Sequence, residues 1–145
     1  MMTHSFEFDK AIFINLTTGR DSLEQFIHAR FTVTPELRVM EWYALRVLFT
    51  YHEPLTLTTL SEIFGKKPNS FEYIVKKLKK YGYIVPQKHT IDYRKSVLKL
   101  SDKAIAIRDD FLAQAKAIDD QISTYLAEQF NPLLEKLRLL QQLSA

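Results

Sequence analysis

The residues best suited to chemistry lie mid-chain, between Lys66 and Lys103. Eleven lysines and arginines there stand against three acids, Glu72, Asp92 and Asp102, a net charge of +8. The remaining residues hold nine basic side chains against fourteen acidic ones, a net −5. A basic middle between acidic flanks is the pattern expected if a polyanion docks on the middle, although a solvated charged face gives the same count. Within this stretch Asp92-Tyr93-Arg94 places an acid and a base two residues apart, close enough for a charge-assisted bond. Taken alone, such an exposed pair is worth only ~0–1 kcal/mol.

Other chemistries find little support. The four histidines (His4, His28, His52, His89) are scattered, and no HExxH, phosphate loop or nucleophile elbow is present. Asp109-Asp110 and Asp119-Asp120 resemble metal ligands, but they sit ten residues apart on one helical stretch. That is ~15 Å of rise, too far for one mononuclear site, and they read as solvated carboxylates. The absence of cysteine removes disulfides, thiolate metal sites and thiol nucleophiles together. The chain therefore reads as a non-enzyme, with no catalytic residue, metal or cofactor. With no signal peptide and no apolar run near the ~20 residues that span a bilayer, it is expected to be cytoplasmic and without a membrane partner.

The elements that position the basic residues are mostly helical. With 145 residues, 46% hydrophobic and 26% charged, one domain is expected. Apolar spacing from about Glu7 to Phe31 fits one long helix with a weak point at Thr17-Thr18-Gly19, or two shorter ones. Thr34-Pro35-Glu36 predicts a helix start, ended by Pro54. Thr56 offers an N-cap for a short helix closed by Gly65, and Pro68 opens a basic helix running to Gly82. Phe71, Ile74, Val75 and Leu78 are its core face. Tyr83-Ile84-Val85 and Ser96 to Leu100 alternate like strands around a polar tip. Ser101 then caps a helix to about Gln129, broken at Asn131-Pro132, and a leucine-rich helix ends the chain. A short helix, a basic helix and a closing hairpin make the winged form of a helix-turn-helix.

With these residues in view, the chain resembles the MarR family of winged helix-turn-helix transcriptional regulators over about Thr34 to Ala104. LSEIFGKKPNSFEYIVKKLKKYGYIV has the family's cadence, and IDYRKSVLKLSDKA resembles its wing signature, with Asp92 and Arg94 matching the Asp-x-Arg near the hairpin tip. Three departures stand out: Ala104, where glycine is usual, Ser101, where threonine is commoner, and the acidic Glu72 on the helix that should meet DNA.

The resemblance implies a mainly α fold with a small β-hairpin wing. Residues 34–102 would form the winged lobe, and 1–33 and 103–145 the N- and C-terminal dimerisation helices. It implies a sequence-specific regulator of double-stranded DNA, read first as a repressor, acting as a homodimer on a palindromic operator. Asn69, Ser70 and Tyr73 would meet base edges, and Lys66, Lys67, Lys76 and Lys77 the phosphates. Arg94 would enter the minor groove with Asp92 as wing support, and Lys88, His89 and Lys95 are secondary wing contacts. Many family members respond to a small-molecule effector held between the dimer helices and the lobe. Phe13, Trp42, Tyr43 and Phe49 are the aromatics that could line such a pocket, or simply core. The rival expectation is a winged-helix module that binds another protein rather than DNA, for which Glu72 is the supporting feature.

Overall fold

A computed structural model describes residues 11–85 and 96–144. In chain order the elements are α1 (Ile12–His28), α2 (Val39–Thr50), α3 (Leu57–Ile63), α4 (Pro68–Lys80), α5 (Asp102–Leu126), a 3-10 turn (Ala127–Gln129) and α6 (Phe130–Gln141). The wing residues Lys88, His89, Asp92, Arg94 and Lys95 lie outside the described residues, as does the start of the first predicted helix.

The helix stops are written in local backbone chemistry. At the end of α3, Gly65 N–H donates to Glu62 O and Lys66 N–H to Ser61 O, both at 2.9 Å, while Gly65 takes φ +65°. At the end of α4 the same pair of bonds recurs, Gly82 N–H to Lys79 O and Tyr83 N–H to Leu78 O, with Gly82 at φ +83°. Both are Schellman closures, which need a left-handed residue just past the helix, and glycine meets that need without Cβ strain. The starts are equally local. Thr56 Oγ1 accepts from Thr59 N–H at 3.1 Å, Pro68 takes the first position of α4, and Ser101 Oγ accepts from Ala104 N–H at 3.1 Å.

Three expectations need correction. Thr34-Pro35 does not start a helix. Leu37 N–H bonds Thr34 O at 3.1 Å to close a turn, and α2 starts at Val39, where the Glu41 carboxylate accepts from Arg38 N–H at 3.1 Å. Proline suits the second position of a turn as well as the first of a helix, and the acid three residues past Arg38 marks the real start. α2 then ends at Thr50, ahead of Pro54. The break after α5 also comes earlier than Asn131-Pro132. It falls at Ala127, which takes φ +50°, and Pro132 sits in the first turn of α6, where its missing N–H costs nothing. Of the two arrangements left open for the first segment, the single helix is the one found: in α1 the Thr17-Thr18-Gly19 stretch stays helical, with both threonine hydroxyls bonded back to carbonyls one turn earlier.

α2 is the central helix, packed against α4 on one side and α5 on another. Trp42 stacks on Phe31 at 5.5 Å and packs against Phe111 of α5 at 5.2 Å, and Phe49 meets Phe111 edge-on at 5.1 Å. Leu45, Leu48, Leu57, Leu60, Phe71, Ile74, Val75 and Leu78 extend this core into α3 and α4. The chain's two ends contrast with it. α6 buries no residue, and Ile12, Phe13, Leu16 and Leu23 of α1 stand exposed.

Among the described residues the wing base shows single antiparallel rungs. Ile84 pairs with Leu100, supported by Val85 N–H to Lys99 O at 2.8 Å and Ser101 N–H to Tyr83 O at 3.0 Å. On its other side the returning strand pairs Val97 with Thr56, and Leu98 N–H bonds Leu55 O at 2.7 Å. An isolated pair of strands is marginal in water; these segments are tied to the entry of α3, with Leu98 and Ile84 buried in the core.

Candidate nucleic-acid interface

α4 presents the basic face. Successive residues turn about 100° around a helix, so buried Phe71, Ile74, Val75 and Leu78 define one side. Opposite them run Asn69, Tyr73, Lys76 and Lys80, all exposed. Ser70 and Lys77, also exposed, form one flank of this row, while half-buried Glu72 and Lys79 form the other. Lys66 and Lys67 are exposed on the turn leading into the helix. Seven of the expected DNA-facing residues, from Lys66 to Lys77, thus share one surface built by α4 and its leading turn. Lys80 belongs to the outward row too and was not among the expected contacts, although its spacing from Tyr73 and Lys76 carries the signal.

Glu72 does not occupy the middle of that surface. Its carboxylate pairs with Lys76 Nζ at 3.1 Å, and its side chain is 28% exposed. It helps line a cleft of about 230 Å³ facing the wing strand, together with Leu57, Val75, Lys76, Lys79 and Leu98. The acid therefore neutralises one lysine from the side and leaves the outward row to Asn69, Tyr73 and the lysines.

Ala104 also finds an explanation. It sits in the first turn of α5, fully buried, with its N–H donated to the Ser101 cap. Its Cβ fills core space, and alanine favours the helix over glycine by ~1 kcal/mol. Ser101 Oγ in turn donates to Gly82 O at 2.5 Å, so one hydroxyl joins the end of α4, the wing base and the start of α5.

Two polar links join distant parts of the chain, one within the lobe and one between the lobe and α5. The buried Tyr83 hydroxyl donates to the Glu36 carboxylate, and its pKa is raised well above the ordinary tyrosine value by burial first and by Glu36 second. On the α5 side, Arg46 donates to both carboxylate oxygens of Asp119, one bond measuring 3.1 Å. Asp119 is therefore not the solvated carboxylate expected from sequence, whereas Asp120 does form an exposed pair with Lys116. Tyr43 lies beside the Arg46–Asp119 pair, its pKa raised by burial and by Asp119. Among the aromatics considered for a ligand pocket, Trp42 and Phe49 are buried, Tyr43 is half-buried and Phe13 stands apart, exposed on α1. Among the described residues no group of histidine, cysteine or acidic side chains is arranged to hold a metal, and no helix is long and apolar enough to cross a membrane.

Solved structures share this architecture over nine-tenths or more of the chain. A MarR-family regulator from Rhodococcus sp. RHA1 is 17% identical, with a TM-score of 0.63 over 97% of this chain and 96% of its own. The chain has the MarR-type winged-helix fold. A probable transcriptional regulator from Pseudomonas aeruginosa shares that MarR-type fold at 22% identity, with a TM-score of 0.71 over 90% of this chain and 96% of its own. The repressor CouR, solved on a 23-mer DNA duplex, superimposes with a TM-score of 0.74 at 19% identity, over 97% of this chain and 100% of its own. CouR from Rhodococcus jostii RHA1 has also been solved bound to p-coumaroyl-CoA, and that structure is 17% identical, with a TM-score of 0.65 over 93% of this chain and 91% of its own. A family model described as the B-block binding subunit of TFIIIC matches residues 55–126, from the entry of α3 through the wing to the end of α5. No curated protein sequence matches the chain significantly. These structural neighbours are transcriptional regulators rather than enzymes.

Proposed function

We propose that this protein is a sequence-specific regulator of transcription, a cytoplasmic repressor that binds a palindromic operator as a homodimer. The observation that carries this reading is α4. Its outward face is exposed, basic and centred on Asn69 and Tyr73, and it begins after a helix-turn-helix turn fixed by Gly65 and Pro68. Such a helix fits the major groove, where phosphate contacts from lysines give affinity and base-edge contacts give sequence choice. The similarity to CouR, itself solved on a duplex, supports the same use of the fold.

In this reading residues 34–102 are the DNA-binding lobe, and 1–33 with 103–145 form the dimer. The support is apolar surface that one chain leaves uncovered. Leu139 is 64% and Phe13 81% exposed, with Ile12, Leu16, Leu23 and Leu133 beside them in the exposed set. Large apolar side chains left exposed on the first and last helices are the surface expected to be covered by a second copy of the chain. Two-fold pairing sets two recognition helices about one DNA turn apart, ~34 Å, hence a palindrome. Arg94 with Asp92, Lys88 and Lys95 serves the wing by the family resemblance. A small-molecule effector acts at the junction of α2 and α5, where the buried Trp42 indole N–H has no acceptor among the described residues.

The test is titration of the protein against duplex DNA over a salt series. Log affinity should fall linearly with log salt at a slope of about −0.9 per phosphate neutralised. An absence of salt-sensitive duplex binding would favour the protein-binding winged helix instead.

A further inference from the structure

Tyr73 is the feature of α4 that a purely electrostatic surface leaves unexplained. Its side chain is 60% exposed in the middle of the outward row, and among the described residues neither its ring nor its hydroxyl has a bonding partner. Every neighbour on that row and its basic flank is short and polar or cationic. An aromatic ring held out among lysines is poorly hydrated, so the surface that meets it should offer an apolar group.

In the major groove only one base edge does so. Guanine, cytosine and adenine present hydrogen-bonding groups alone, whereas thymine adds its C5-methyl. We infer that Tyr73 is a specificity-determining residue whose ring packs on the C5-methyl of one thymine in each half-site. This rests on the DNA-binding reading proposed above. Asn69 lies one turn earlier on the same row, with about 6 Å of rise between them. At ~3.4 Å per base step, that places the Tyr73 thymine on the order of two pairs from the base facing Asn69. The hydroxyl offers a competing use, a bond to phosphate, which would carry no sequence information. Position argues against it. Tyr73 stands mid-row, with Lys66 and Lys67 ahead of it and Lys77 and Lys80 behind, and those cations are placed to take the phosphates on either side.

The experiment uses the full chain and a duplex recovered by selection from a random pool, with each thymine of a half-site replaced in turn by deoxyuridine. Replacement of the one contacted thymine in a single half-site should weaken binding about fourfold, the change that ~0.8 kcal/mol per buried methyl corresponds to. Tyr73→Phe should keep that sensitivity, and Tyr73→Ala should abolish it while still binding DNA with the same salt slope. If binding is tight and salt-sensitive but no thymine methyl matters, or if Tyr73→Ala keeps the sensitivity, the inference is overturned and the DNA-binding reading stands. A uniform loss in Tyr73→Phe would assign the hydroxyl to phosphate and also overturn it. Failure to bind any duplex overturns both.

Discussion

Breaking the Arg46–Asp119 link should cost a measurable but limited share of stability. The two carboxylate oxygens face one guanidinium, and the side chains are 26% and 44% exposed, so the pair is neither free in solvent nor sealed in the core. A fully exposed ion pair is worth ~0.2–1 kcal/mol, and a hydrogen bond to a charged group ~1.5–3 kcal/mol. Partial exposure places this pair between those ranges, at ~1–2 kcal/mol. Asp119→Ala leaves Arg46 able to turn to water, so the ~3–5 kcal/mol cost of orphaning a buried charge does not apply. For a chain of this size the expected fall in Tm is roughly 3–6 °C. Arg46→Ala alone would mix in lost packing, because the guanidinium lies 5.7 Å from the Trp42 ring. A double-mutant cycle with Asp119→Ala, Arg46→Ala and the pair, read by denaturant midpoints at one protein concentration, removes that term. A coupling below ~0.5 kcal/mol, the scatter of independent sites, would refute the view that this link fastens α2 to α5.

Arg94→Ala should weaken operator binding about fivefold or more while leaving dimerisation and Tm nearly unchanged, at ~1–3 kcal/mol for a lost specific arginine contact; equal affinity in a fluorescence titration would remove the wing from the interface. Phe13→Asp with Leu139→Asp should convert a dimer to a monomer in analytical ultracentrifugation and keep the near-ultraviolet signal of the Trp42 cluster; a persisting dimer would move the interface elsewhere. Tyr83 supplies a pH test. Its pKa is raised in the folded chain by burial and by Glu36, so its contribution is complete below the unfolded value near 10 and is lost as pH climbs above it. Tyr83→Phe should therefore lose about 1 kcal/mol near pH 8 and show a shallower alkaline decline; an identical decline would assign the alkaline loss to other groups.

The helix ends were legible because their causes are local. Gly65 and Gly82 close Schellman motifs, Pro68 opens α4, and Thr56 and Ser101 cap α3 and α5 within three residues of the groups they serve. Thr34-Pro35 misled because its local chemistry suits a turn and a helix equally, and the deciding acid, Glu41, lies further on. What sequence could not show is contact across the chain. The Arg46–Asp119 bond spans 73 residues, and the Leu55–Leu98 rung ties the wing to α3 with no local signal at either end. The basic row was legible from helical spacing, which also reaches Lys80. Glu72 was harder to place, since its retreat to one flank depends on the wing strand across the cleft.

The most direct test of a two-fold DNA-binding regulator is selection of bound duplexes from a random pool by the full-length chain. The expected result is an inverted repeat whose half-sites are centred about one helical turn apart, 10–10.5 base pairs. Recovery of no enriched sequence, or of a single asymmetric site, would contradict a homodimer reading a palindrome through α4.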